Sequence, residues 1–192
     1  HRAKPFMGLL KNGQNGRESM LQRMWRKLEQ ANLAHLTVIS TDQSQKPLID
    51  QQIGKEVTVI AEPERKDTFP AIALAAAFLA SRGVDRDEVL IVLPVDFYAE
   101  DDFFACLSDL ENCIRQQLAN VALLGARPLF PAEHYGYILP QNGGEPMQRT
   151  GYPVRFFVEK PARKLAELLV SQGALWNCGV FAFRPGFLMD VL

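Results

Sequence analysis

Cysteine is scarce here, with only Cys106, Cys113 and Cys178. Their number is odd, and they form no CxxC pair or other metal-ligand spacing, so there is no basis for a disulfide framework or a zinc site. A reducing, cytoplasmic setting with buried thiols is expected. Cys106 and Cys113 stand seven apart in a helical pattern and share one face. Histidine is as sparse, and His35 and His134 have no partners at motif spacing, which leaves them ordinary surface or core roles. HExxH, Ser-His-Asp ordering, GxGxxG and GxxxxGK[ST] are all absent. No apolar run reaches bilayer length, and no signal-peptide pattern opens the chain. The formal net charge of -1 gives no overall pull toward nucleic acid or an acidic membrane, although a local basic patch could still bind phosphate. There is no internal repeat and no low-complexity tract.

The 192 residues are 47% apolar, which supports one sizeable core and one domain with room for a small appendage. Residues 18–32 carry Met20, Leu21, Met24, Trp25 and Leu28 at three- and four-residue steps, a core-facing helix. Residues 36–41 read as a strand, and Asp42 and Ser44 can cap a helix ending near Gly54. The β-branched run Val57-Thr58-Val59-Ile60 is a second strand. It leads through the charged, proline-bounded loop Glu62-Pro63-Glu64-Arg65-Lys66-Asp67-Thr68-Phe69-Pro70 into an alanine-rich helix ending at Ser81, with Gly83 as its cap. Residues 88–96 contain an unbroken apolar run and read as a strand expected to be buried on both faces. A helix through Phe103, Leu107, Leu110 and Ile114 and a buried strand over 120–126 follow. This alternation predicts an α/β fold with a mostly parallel sheet and helices on both faces. Beyond Arg127, strands at 135–140, 155–161 and 175–183 and a helix at 162–173 predict a mixed, partly antiparallel second half.

Open α/β sheets bind ligands at the carboxyl ends of their strands, and a helix N-terminus favours anions. Glu62 and the loop after it occupy such a position, or the two prolines merely punctuate a turn. Asp96 ends a strand; it could hold magnesium beside substrate phosphates, or cap a turn. Glu159 and Lys160 point to opposite faces unless a bend lets both reach one ligand. Taken by themselves, these two residues are better explained as a solvated turn. Asn177 could serve sugar hydroxyls, with Gly179 permitting close backbone approach, or Trp176-Asn177-Cys178-Gly179 is a β-bulge with a packed Trp. Gly136, between Tyr135 and Tyr137, either lets a ligand approach the backbone or makes a bend. Lys4 is a flexible point charge suited to phosphate and uninformative alone.

Five stretches together carry more than each does separately. Residues 62–75 resemble the E-P-x-x-R-x-T-x-P-A-I-x-x-A segment of mannose-1-phosphate guanylyltransferases. Leu93-Pro94-Val95-Asp96 is similar to that family's L-P-A-D, Tyr135-Gly136-Tyr137-Ile138 to Y-G-Y-I, Phe157-Val158-Glu159-Lys160-Pro161 to F-V-E-K-P, and Trp176-Asn177-Cys178-Gly179 to W-N-S-G. Lys4-Pro5-Phe6 and Ser19-Met20-Leu21-Gln22 also fit, so the resemblance covers essentially the whole chain.

The resemblance implies a three-layer, Rossmann-like (GT-A-like) nucleotidyltransferase sheet. It implies transfer of a guanylyl group from GTP to mannose 1-phosphate, giving GDP-mannose and pyrophosphate. By that similarity Asp96 would hold Mg2+, and Lys4 would face the triphosphate. Glu62, Pro63, Arg65, Asp67 and Thr68 would border the nucleotide. Glu159 and Asn177 would take sugar hydroxyls, Lys160 the sugar phosphate, and Gly136 would let the backbone touch the sugar. Partners would be GTP and mannose 1-phosphate, and a homodimer is compatible with it. The alternatives are another hexose 1-phosphate or nucleotide, or a catalytically silent sugar-nucleotide-binding module. Three departures stand out. The family's opening strand and glycine-rich triphosphate loop would precede His1. Its second metal-binding aspartate and C-terminal part would follow Leu192. Val95, Asp67 and Cys178 stand where the family has alanine, asparagine and serine. A single domain truncated at both ends, inactive by itself, is therefore expected.

Overall fold

Ser19 and Gln22 set the start of the first helix. In the computed structural model, which describes residues 4–12, 16–64, 68–96, 101–141 and 151–191, Gln22 N–H donates to Ser19 Oγ at 3.1 Å and Ser19 N–H donates to Gln22 Oε1 at 3.0 Å. This capping box satisfies two donors that a helix start leaves open. Helix α1 (Met20–Gln30) then buries Leu21, Met24 and Leu28 of the predicted stripe, with Met20 and Trp25 half-buried.

The chain divides into two compact units. The first comprises residues 1–88, 94–105 and 185–192. A two-rung antiparallel ladder joins β1 (Leu10–Lys11) to β2 (Arg17–Glu18). Strands β3 (Ile39–Asp42) and β4 (Val59–Glu62) pair in parallel, Ile39 opposite Val59 through Asp42 opposite Glu62. The crossover between them carries α2 (Lys46–Ile53), as a parallel pair requires. Asp42 caps the short 3-10 turn before α2, not the helix itself, by accepting from Ser44 N–H at 2.8 Å. The core of this unit is Phe6, Leu21 and Ile49, with Ile39, Val59 and Val95 packed on it. Helix α3 (Thr68–Ser81) closes at Gly83, whose φ of +87° only glycine adopts without strain. Val84 N–H bonds back to Leu79 O at 3.1 Å there.

The second unit, residues 89–93 and 106–184, is built on one long strand. Its strands are β5 (Leu90–Val92), β6 (Val121–Ala126), β7 (Tyr137–Pro140), β8 (Val154–Val158) and β9 (Leu175–Phe183). Helix α4 (Asp101–Arg115) precedes β6, and α5 (Arg163–Ser171) lies between β8 and β9. β9 is central: Phe183 faces both Leu90 of β5 and Val121 of β6, so these two strands occupy its opposite edges. β7 pairs with the start of β9, and β8 pairs with β7 at the sheet's edge. Tyr137, Leu139, Ala166 and Leu169 form the core between β7 and α5.

The expected mixed α/β arrangement is present, with a smaller parallel share than helix–strand alternation suggested. Among the described residues β3–β4 is the one parallel ladder. β5 and β6 run the same way but are separated by the antiparallel β9, which returns late in the chain through the short α5 connection. The strand expected over 88–96 and buried on both faces is a correction. It spans Leu90–Val92 and is half-buried. Pro94 offers no N–H to extend a ladder, and β5 has a partner on one edge alone among the described residues. β6, also expected to be buried, exposes Val121 and Ala126. Helix α6 (Pro185–Val191), against which α3 packs, was not foreseen, because proline and glycine open it.

Candidate functional site

The first unit brings predicted residues to the carboxyl end of the parallel ladder. Glu62 is the last residue of β4 and lies directly opposite Asp42 of β3. Ser40 Oγ donates to Glu62 Oε1 at 3.2 Å, which orients that carboxylate at the sheet edge. Pro63 and Glu64 form an exposed bend, and exposed Thr68 opens the 14-residue α3. A helix start carries a partial positive charge from its aligned peptide dipoles. Arg65 and Asp67 lie outside the described residues.

Lys4 and Asp96 are tied to one core. Lys4 opens a 3-10 turn through Phe6, whose ring is buried against Leu21 and Ile49. Val95 packs on that same cluster, which fixes the backbone immediately before Asp96. Asp96 itself is exposed, and its carboxylate has no hydrogen bond or ion pair among the described residues. Such a carboxylate fits Mg2+, which takes one or two carboxylates, keeps several waters and draws other oxygens from phosphates. Among the described residues no three His, Cys, Asp or Glu side chains gather into a protein-only cage.

The second unit assembles Gly136, Glu159, Lys160 and Asn177. The β7–β8 ladder sets Tyr137 opposite Val158, so Gly136 and Glu159 are next in register. A Cβ added to Gly136 would come within 2.6 Å of both Glu159 Oε2 and Phe157 Cζ, so only glycine leaves that carboxylate its place. Asn177 N–H donates to Gly136 O at 2.8 Å, bringing β9 to the same point. Just past β8 the backbone bends: Lys160 has φ +42°, uncommon for a residue with a Cβ. Lys160 Nζ lies 3.4 Å from Glu159 Oε1, so neighbours that a strand would send to opposite faces are together. Their side chains are 65% and 55% exposed, a solvated charged turn as well as a convergent pair.

The Trp176–Gly179 stretch is a β-bulge with a packed Trp. Leu123 to Gly125 on β6 spans the same ladder length as Phe181 to Asn177 on β9, so β9 carries a bulge there, with Gly179 at φ +71°. Gly179 N–H donates to Asn177 Oδ1 at 3.0 Å. That bond occupies one of the two lone pairs of the amide oxygen. Trp176 packs against Phe130 and Tyr135, with ring centroids 5.1 Å and 4.9 Å away. Cys178 is half-buried, and burial pushes its thiol pKa up, with Cys106 adding to the rise. Two contributors were not singled out beforehand. Phe157 stands two residues before Glu159 on the same side of β8, and strand alternation could have found it. Gly125 sits where an added Cβ would meet Leu175 Cβ at 2.9 Å, a long-range fit with no local sequence signal.

The sequence pattern described as "Nucleotidyl transferase" matches residues 8–190. The chain belongs to the nucleotidyl transferase family. Within it, a mannose-1-phosphate guanylyltransferase of Sinorhizobium fredii is 29% identical over 197 residues, covering 99% of this chain and 36% of that protein. Mannose-1-phosphate guanylyltransferase 2 of Escherichia coli O157:H7 is 29% identical, covering 93% of this chain and 39% of the relative. The chain thus spans roughly two-fifths of the length of these curated relatives. A crystal structure from Thermus thermophilus, described as a mannose-1-phosphate geranyltransferase, superposes with a TM-score of 0.81 at 28% identity, covering 98% of this chain and 52% of that one. The α/β architecture is therefore that of the family. Among the described residues no helix is long and apolar enough to cross a membrane.

Proposed function

We propose that the protein transfers a guanylyl group from GTP to mannose 1-phosphate in the cytoplasm, releasing GDP-mannose and pyrophosphate. The observation that carries this is the convergence of Gly136, Glu159, Lys160 and Asn177 in one sheet register. Glu159 offers acceptors, the Asn177 NH2 a donor and Lys160 a cation, and the missing Cβ of Gly136 leaves the room in which the Glu159 carboxylate sits. A sugar 1-phosphate needs that combination. The family match and the guanylyltransferase relatives support the choice of reaction.

In the reaction an oxygen of the sugar phosphate attacks the α-phosphorus of GTP in line. The bond from that phosphorus to the β-phosphate bridging oxygen breaks, and pyrophosphate leaves with the electron pair. No protein nucleophile or general base is required, because alignment and charge neutralisation supply the rate. Lys160 holds the attacking phosphate and Lys4 faces the triphosphate. Glu62, Pro63, Thr68, Arg65 and Asp67 border the nucleotide. Asp96 would hold Mg2+, which would neutralise charge on the phosphates. The test is a pyrophosphate-release assay on the intact protein with GTP, mannose 1-phosphate and Mg2+, run beside other sugar phosphates and nucleotides. Turnover highest with GTP and mannose 1-phosphate is expected. No turnover with any pair would overturn the proposal.

A further inference from the structure

We infer that Gln52 is a positioning residue for Lys4, acting through the backbone of the turn that carries it. Gln52 stands in the last turn of α2 and bridges two distant segments. Its Nε2 donates to Phe6 O at 2.9 Å, and its Oε1 accepts from Ser19 Oγ at 2.7 Å. Phe6 O can only accept, so the amide must turn its NH2 to that carbonyl and its oxygen to Ser19. Ser19 is fully buried and is also the N-cap of α1, accepting from Gln22 N–H at 3.1 Å. One amide therefore locks the end of the Lys4–Phe6 turn to α1 and α2 at once.

That turn has little else of its own. It spans 3 residues and is closed by a long bond of 3.3 Å from Met7 N–H to Lys4 O. Phe6 anchors it through its buried ring, but a ring leaves rotation about its own axis free, whereas a hydrogen bond to the Phe6 carbonyl fixes the peptide plane. Lys4 is exposed on a flexible stem, so where its ammonium can reach is set by that plane. Charge placement matters most when little covalent chemistry is done by the protein, and misplacing a group by about 1 Å can cost roughly 100-fold in rate. The role assigned to Lys4 rests on the proposed guanylyl transfer. The control of the turn by Gln52 does not.

The test uses Gln52→Leu and the isosteric Gln52→Glu in the intact protein. Ionised, the introduced carboxylate still accepts from Ser19 but cannot donate to Phe6 O. Without ligand, hydrogen exchange over residues 4–9 should speed up in both variants at pH 8. Lowering the pH protonates the introduced carboxyl, restores a donor, and should bring Gln52→Glu back toward wild type measured at the same pH. Gln52→Leu should show no such return. In the transferase assay, kcat with GTP should fall about tenfold or more in both variants while KM for mannose 1-phosphate stays within about twofold. Unchanged exchange over residues 4–9 in both variants, or unchanged kcat in both, would overturn the inference. If the wild type turns over no nucleotide, the transferase proposal fails, and the exchange measurements alone decide whether Gln52 holds the turn.

Discussion

Glu159 Oε2 occupies the space beside Gly136 that any side chain there would claim, since an added Cβ would approach it to 2.6 Å. The same added atom meets Phe157 Cζ at 2.6 Å, so both side chains would have to shift. Gly136→Ala is therefore expected to displace Glu159 while leaving the first unit's residues untouched. The rate with saturating GTP and limiting mannose 1-phosphate should fall by about 100-fold, the scale of a group misplaced by about 1 Å. KM for GTP should stay within about twofold. Steady-state kinetics against each substrate in turn checks this, and an equal rise in both KM values would count against it.

Lys160 combines an exposed ion pair with a backbone angle that disfavours its side chain. An exposed pair such as Lys160–Glu159 contributes about 0–1 kcal/mol. Relief of the φ +42° conformation by glycine is worth about 1 kcal/mol. Lys160→Gly should therefore be at least as stable as wild type in urea denaturation, and more stable than Lys160→Ala. Both variants should lose most turnover with mannose 1-phosphate. A variant that is destabilised and active would reverse the assignment of this residue from ligand to scaffold.

Short-range patterns carried most of what the sequence showed. The stripe of Leu21, Met24 and Leu28 and the glycine after α3 both depend on neighbours within one or two turns. The convergence of Gly136, Glu159 and Asn177 was not legible from periodicity, because it depends on the pairing register of three separate strands. It was named through family resemblance and acquired a physical cause only from the ladder. At Lys160 the turn is solvated, and its bend brings the Lys160 and Glu159 side chains together. Overestimates fell on β5 and β6, whose apolar runs suggested full burial. Composition does not reveal that a strand has, among the described residues, a partner on one edge only, or that Pro94 offers its ladder no N–H. Gln52 carried no signal at all, since its partners Phe6 and Ser19 lie 46 and 33 residues away.

Acid should weaken the first unit through Glu18. This buried carboxylate accepts from Arg26 Nη2 at 2.8 Å and Nε at 3.2 Å, and Arg23 lies 3.6 Å away. The Arg26 hydrogen bonds, with the charges of Arg26 and Arg23, hold its pKa below the ordinary 4.5 despite burial. A depressed folded-state pKa means that the ionised form is the one bound. The stabilisation is thus fully present above about pH 4.5 and is lost as pH falls through the lower folded-state value. Glu18→Gln should cost about 1–3 kcal/mol at pH 7, as expected for loss of charge-assisted hydrogen bonds. The gap from wild type should close as pH drops below 4.5. Urea titrations from neutral to acid pH measure both curves, and parallel curves would mean that Glu18 is not the group responsible.

Asp96 offers the cleanest separation of metal binding from folding. Its carboxylate is exposed and makes no bond among the described residues, so Asp96→Asn removes nothing that holds the first unit together. Surface changes of this kind stay within about 0.5 kcal/mol, and the unliganded melting temperature should barely move. Binding of GTP to the native state raises the melting temperature according to ligand concentration over Kd. In wild type that rise should be larger with Mg2+ than with a chelator present. In Asp96→Asn the two should become equal, because an amide oxygen without formal charge is a far weaker ligand for a hard cation. Thermal-shift titrations of GTP with Mg2+ and with chelator measure this directly. A variant that keeps the full Mg2+-dependent shift would move the metal to other carboxylates of the site, with Glu62 and its ladder neighbour Asp42 the next to be replaced.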